Sequence, residues 1–268
     1  MTITTRDMLI DAMGNHYTVI PILKTTVTSQ TTGAYASMWR ATGLPAQGAI
    51  PSTAAACTKA LAGSARFLDP VSPAKSYLSN VSITSSQSST NFELHDRLAH
   101  MGGLSGTVIT PQGALTLSGV STARIGGSDS TRVQWWLEWY TDTGASVVNA
   151  TVNVTFDDNS TANIVIALTA TMRASRFVPI ISGTSSLGIK QVNSVTLSAT
   201  TGTAGNFGIT ATRAHAFFGA PTLNTMANYD WAALGLPQFE SDACLFLVVL
   251  CGTTQTGNAY GLMKLAHG

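Results

Sequence analysis

Arg132-Val-Gln-Trp-Trp-Leu-Glu-Trp-Tyr140 is the stretch from which the fold can be read. Val133, Trp135, Leu137 and Trp139 fall on one face of an extended strand, and Arg132, Gln134, Trp136 and Glu138 fall on the other. After a turn at Thr141-Asp-Thr-Gly144, Val148, Ala150, Val152, Val154 and Phe156 alternate with Asn149, Thr151, Asn153 and Thr155. A second turn at Asp157-Asp-Asn-Ser160 leads into Ala162, Ile164, Ile166, Leu168 and Ala170. This pattern predicts a three-stranded antiparallel meander with one apolar and one polar face. The apolar face must be covered by another sheet, which the rest of the chain has to supply. Trp135 and Trp139 are expected in that core, and Trp136 is expected outward, against solvent or a neighbouring subunit.

Other segments have the same grammar. Ser76 to Ile83, Asn91 to Asp96, Phe177 to Ile181, Ile189 to Ala199, Asn206 to Phe218, Cys244 to Cys251 and Ala259 to Leu265 read as strands. Pro179 marks an edge or a bulge, and Arg97 to Gly103 reads as an approach to a glycine turn. The total is about ten strands on short turns, which predicts an all-β antiparallel sandwich of jelly-roll type. Ahead of it, residues 5 to 13 suit a short helix capped by Thr5 and closed by Gly14. A strand from Tyr17 to Val27 follows. From Thr28 to Pro73 the chain is rich in Ala, Gly, Pro, Ser and Thr. That span reads either as an extended arm that binds a partner or as an irregular loop packed on its own domain. The expected division is 1–75 for helix, strand and arm, and 76–268 for the sandwich body.

Composition narrows the function. Charged residues are 10% of the 268, against about 25% in ordinary soluble domains, and mean hydropathy is +0.21. The surface must therefore be hydroxyl, amide and glycine. Without charge repulsion between copies, such a surface suits a working state that is an assembly; the alternative is a secreted β-protein. Net charge is +1 with no Lys/Arg run, so the field a nucleic-acid binder needs is missing. No stretch reaches the ~20 apolar residues of a membrane-spanning helix. The amino terminus lacks the pattern of a secretory signal, and synthesis in a reducing cytoplasm is expected. Cys57, Cys244 and Cys251 are odd in number and lack C-x-x-C spacing, so they are expected as buried small hydrophobes.

The chemical motifs are weak. His95 and His100 are five apart and would face opposite ways on a regular strand, so a metal site is not supported; His95 and Asp96 are expected to tie down the Gly102-Gly103 turn. Gly103-Leu-Ser-Gly106 lacks the last glycine of a nucleophile elbow. Asp157-Asp158-Asn159 fits a hairpin turn better than a calcium site, which needs six to eight oxygens. Sequons at Asn80, Asn149, Asn153 and Asn159 reflect composition. No catalytic residue, cofactor ligand or metal ligand is nominated, and the expectation is a non-enzymatic protein. Trp136 and Tyr140 with nearby loops are the alternative: a carbohydrate- or receptor-binding platform.

Three stretches together resemble small virion-associated proteins of tailed bacteriophages. Met38-Trp-Arg-Ala-Thr-Gly-Leu-Pro-Ala-Gln-Gly-Ala-Ile-Pro51 is similar to a Trp-Arg-x-x-Gly-x-Pro-x-x-Gly segment of that family. Leu94-His-Asp-Arg-Leu-Ala-His-Met-Gly-Gly-Leu104 is similar to its Asp-Arg-Leu-x-His-x-x-Gly-Leu segment. Trp136-Leu-Glu-Trp-Tyr-Thr-Asp-Thr-Gly-Ala145 is similar to its strand ending in an aromatic and a Thr-x-Thr-Gly turn. The order matches over roughly residues 35 to 170, and the last hundred residues carry no resemblance. It implies a structural protein of the virion, a capsid decoration or cement protein that binds the major capsid protein or other virion subunits, with tail, collar or coat protein as alternatives. Self-association around a three-fold axis is expected, with the arm lying along adjacent subunits. Trp39, Arg40, Trp136 and Tyr140 are the candidate contact residues.

Overall fold

Gln134–Trp139 is hydrogen-bonded on one side to Phe207–Ala220 and on the other to Arg176–Ile180. From there the pairing passes to Tyr35–Ser37, to Leu245–Leu250 and to Thr90–Leu104, which returns to Phe207–Ala220. Every pairing is antiparallel, and the six strands close into a barrel. The structure is a computed structural model and describes residues 3–183, 185–202 and 205–268. These contain sixteen strands and three short helices, so the all-β class holds. The count exceeds ten partly because two-residue strands such as Gly43–Leu44, Ala55–Ala56 and Gln238–Phe239 have no periodicity to detect.

Two sheets clad the barrel. On one side lies a three-stranded sheet of Ile189–Leu197, Val148–Phe156 and Thr161–Leu168. Its Val152, Val154, Val192 and Val195 pack on Trp135, Leu137, Trp139, Phe207 and Ile209 of the barrel wall. On the other side lies a six-stranded sheet. Its main path runs Ala227–Asp230, Ser76–Ser85, Ala259–His267, Tyr17–Lys24 and Gly43–Leu44. Ile22, Val81, Ile83, Met263 and Leu265 of that sheet meet Phe92, Leu94, Leu245, Leu247 and Phe218 of the wall. Each flanking contact is a sandwich, with alternate residues interleaved across it.

The expected meander is therefore split. The Val148–Phe156 and Thr161–Leu168 hairpin is present, with Asn159 in the left-handed region at its turn. Gln134–Trp139, however, lies in the layer beneath it rather than beside it. Thr141 to Gly144 carries the chain between layers, held by Tyr140 N–H to Asn206 O at 2.8 Å and Thr143 N–H to Met172 O at 2.9 Å. Periodicity says which side chains share a face but not which strand is the neighbour.

The amino-terminal region is part of the same body. Helix Arg6–Asn15 is capped by Thr5 as expected, but it runs through Gly14, and its Leu9 and Ala12 pack on Ala266. Tyr17–Lys24 pairs along its whole length with Ala259–His267, and Lys75 and Gly268 exchange backbone bonds of 2.9 and 3.0 Å. Residues on both sides of position 75 thus share sheets. The 28–73 span is laid across its own barrel. Ala55–Ala56 pairs with Ala99 and His100, and Ala65 N–H bonds Leu245 O at 2.7 Å.

Leu137 is fully buried between the wall and the three-stranded sheet. Leu137→Ala should therefore cost about 2–5 kcal/mol of unfolding free energy by urea titration, whereas Val147→Ala, at an exposed position, should change it by less than about 0.5 kcal/mol.

Candidate functional site

The inward face of the barrel wall carries the polar half of the opening stretch. At one end, Trp136 stacks on Phe177 at a centroid distance of 4.3 Å and meets the edge of Tyr35. Trp136 Nε1–H donates to Thr212 Oγ1 at 2.8 Å, and Thr212 lies 3.0 Å from His95 Nδ1. His95 Nε2 is 2.8 Å from Glu93. With the Thr212 oxygen accepting from the indole, its hydroxyl donates to Nδ1, and Nε2–H donates to the carboxylate. Below this, Arg97 pairs with Glu138, and Thr210 donates to the same carboxylate oxygen at 2.7 Å. Arg97 Nε and Nη1 make no hydrogen bond. The guanidinium instead lies over Trp39 at 4.6 Å and Phe246 at 5.2 Å, two cation–π contacts that partly replace solvation. His100 and Tyr140 hydrogen-bond at the far end.

Burial first, then the Arg97 charge, holds the His100 pKa well below 6.5, and burial with the Glu138 charge pushes the Tyr140 phenol well above 10. His100 is thereby neutral and Tyr140 keeps its proton, so both serve as hydrogen-bonding fillers of the lumen. A second buried pair, Asp96–Arg124, sits apart from this chain of contacts. Arg124 Nη1–H also donates to Cys57 O at 2.7 Å, and Cys244 N–H donates to Asp96 at 2.7 Å. It ties the 28–73 span and strand Leu245–Leu250 to Thr90–Leu104. Asp96 thus has this role rather than bracing a turn, since strand Thr90–Leu104 runs straight through Gly102 and Gly103. All three cysteines are buried and free.

The four expected contact residues are used internally. Trp136 is 3% exposed and Trp39 1%. Trp39 Nε1–H donates to Ala49 O at 2.8 Å. A Cβ on Gly48 would lie 2.1 Å from the Trp39 ring and one on Gly63 2.6 Å, so two glycines make room for the indole. Arg40 donates to Gly48 O, and half-buried Tyr140 bonds His100. The Trp-Arg-x-x-Gly-x-Pro-x-x-Gly segment is thus the plug of one barrel end. The outward placement of Trp136 fails because a closed ring turns the strand's polar face into the lumen, and with it goes a sugar platform on Trp136 and Tyr140.

What the chain does present is the outer face of the six-stranded sheet. Tyr17, Val19, Pro21 and Leu23 project outward from Tyr17–Lys24. Register sets Leu23 between Leu44 and Tyr260, and Pro21 beside Leu262. Tyr17, Val19, Leu23, Leu44, Tyr260 and Leu262 are each between 36% and 50% exposed. Ser82, Thr84, Asn80 and Asn228 continue the same rows as a polar rim, and Lys264, paired with Val19 and lying over the Tyr17 ring at 3.9 Å, places one cation within the patch. An exposed apolar patch of this kind is a candidate contact surface. Sequence reasoning missed it because Tyr-Thr-Val-Ile-Pro-Ile-Leu is apolar at both parities, which hides the exposed row. The barrel mouth at Tyr35 opens into a cleft of about 330 Å³ that includes Gln134, Trp136 and Pro179, with no acid or base in its described lining.

No family model and no curated protein matches this chain. Among solved structures, the VP2 subviral particle of infectious bursal disease virus is 9% identical, with 94% of this chain and 80% of that one covered and a TM-score of 0.20. A structure of the Gt strain of infectious bursal disease virus is 10% identical, with 93% and 81% covered and a TM-score of 0.16. At those scores the likeness carries no argument about fold or function.

Removing one member of the lumen pair should be worse than removing both. Arg97→Met should cost about 3–5 kcal/mol, and the double variant Arg97→Met with Glu138→Leu should recover much of it, read by urea unfolding. Acid should also weaken the protein through His215, whose pKa burial and then the Arg213 charge bring to about 3. The unfolded chain takes up that proton below 6.5 and the folded chain does not. Stability is therefore full above 6.5 and falls as pH drops toward about 3, by up to about 1.4 kcal/mol per pH unit. His215→Phe should make this slope shallower in unfolding curves taken between neutral and acid pH.

Proposed function

We propose that the chain is a non-enzymatic structural protein of a tailed-phage particle, a capsid decoration or cement subunit that docks on the major capsid protein or a neighbouring virion subunit. The observation that carries this reading is the apolar face of Tyr17, Val19, Leu23, Leu44, Tyr260 and Leu262 on a sheet packed against the barrel. Covering it removes apolar surface from water at about 25 cal/mol per Å². It requires no ordering of an arm, because the surface is already formed by paired strands. Docking is therefore assigned to this face and not to residues 28–73. The low charge fits the same use, since it leaves a dense array of copies without mutual repulsion.

Adding purified protein to particles that lack it, followed by sedimentation, tests the reading. Wild type should sediment with particles, and a Val19→Asp, Leu262→Asp double variant that keeps its circular dichroism spectrum should bind at least ten-fold more weakly. Equal binding by the two proteins would overturn the docking face. A protein found free of purified particles would overturn the virion reading, and the fraction carrying it, capsid, collar or tail, would locate the partner.

A further inference from the structure

The barrel is closed, and most remaining unpaired strand stretches are short or interrupted by a proline. Tyr17–Ile22 is unpaired on one side but contains Pro21, and the free end of Arg176–Ile180 contains Pro179. Gly43–Leu44 and Ala227–Asp230 span two and four residues. On the three-stranded sheet, Ile189–Leu197 has its outer edge bridged at Val192 and Val195 by Leu115 and Gln112. Thr161–Leu168 differs from all of these. It pairs with Val148–Phe156 on one side and, among the described residues, with no strand on the other. It is eight residues long, with no proline and no charge. A long, neutral, apolar edge is a template for another strand unless a charge, a proline or a bulge blocks it.

Its side chains point to the same conclusion independently. Ala162, Ile164 and Ile166 face the core but are only partly buried, because the sheet ends at them. On the other face Val165 is 62% exposed. Both sets would be covered by one more strand.

We propose that Thr161–Leu168 is the contact through which two copies of this chain pair, antiparallel about a two-fold axis, into one continuous six-stranded sheet. A second copy is the favoured occupant because the strand is self-complementary: it is uncharged, so a like copy meets no like charge. Antiparallel pairing also returns to each copy the row of donors and acceptors it offers. The other long stretch with no strand on one side, Arg213–Ala220, carries the Arg213 charge and has both backbone groups of Gly219 bonded by Tyr229 Oη, so joining through edges pairs Thr161–Leu168 with itself. That gives a two-fold and not the expected three-fold contact. A register that keeps core-facing side chains together must centre on one residue. Centred on Val165, it sets Ile164 against Ile166 and brings the two Val165 side chains together on the outside.

The inference does not depend on the virion reading, because isolated full-length protein tests it. Light scattering over a concentration series should show mass rising from 27.9 kDa toward twice that value. Val165→Lys places two like charges opposite each other and should leave a monomer with an unchanged circular dichroism spectrum, while Val165→Thr should still dimerise. In V165C, glutathione disulfide should link the copies: the two thiols form one disulfide and the oxidant leaves as two molecules of glutathione. A monomer at every concentration overturns the proposal. So does a dimer that survives Val165→Lys, or one lost instead in the Val19→Asp, Leu262→Asp variant.

Discussion

The pairing of Thr90–Leu104 with Phe207–Ala220 returns the barrel to its first strand, and the remaining architecture answers to that closure. Once the ring is closed, each wall strand has an inside and an outside. The outside is apolar and takes a sheet on each flank. The inside must accept whatever the alternate positions carry, and here they carry Glu93, His95, Arg97, Glu138, Thr210 and Thr212. A charge cannot remain in such a space unpaired. The lumen therefore holds an ion pair, a relay of hydrogen bonds and a guanidinium faced by two aromatic rings. These contacts set register more than they add stability, since a buried pair roughly offsets its own desolvation.

Closure also explains the irregular span before residue 75. A six-stranded barrel leaves an open end, and Trp39 with Cys57 fills one of them beside Phe246. The indole seats against the chain at Gly48 and Gly63, where any side chain would collide with it. The spacing of tryptophan, arginine, proline and glycines in this segment is the sequence trace of a plug. A motif that looks like recognition is here explained by packing.

The surface that remains is unusual in having few charges and two unblocked features. One is the apolar face of the six-stranded sheet and the other is the bare edge of the three-stranded sheet. They lie on the two sheets that clad the barrel, each held by its own core. A face buries side chains against a partner, whereas an edge offers backbone hydrogen bonds. Contacts made through the face and contacts made through the edge would therefore not compete.

From residues alone, the all-β class, the Val148–Phe156 hairpin, the core places of Trp135 and Trp139 and the burial of the cysteines were all legible, because two-residue alternation reports directly on which side chains share a face. The exposed apolar face was not, since Tyr17 to Leu23 is apolar at both parities and only the covering of its inner side reveals which row is left over. The place of Trp136 was not legible either. Alternation correctly put it opposite Trp135, but whether that opposite face meets water or a lumen depends on whether distant strands close a ring. The sequence by itself determined the faces. Tertiary structure decided what each face meets, because strand neighbours are chosen by contacts between residues 68 to 130 positions apart.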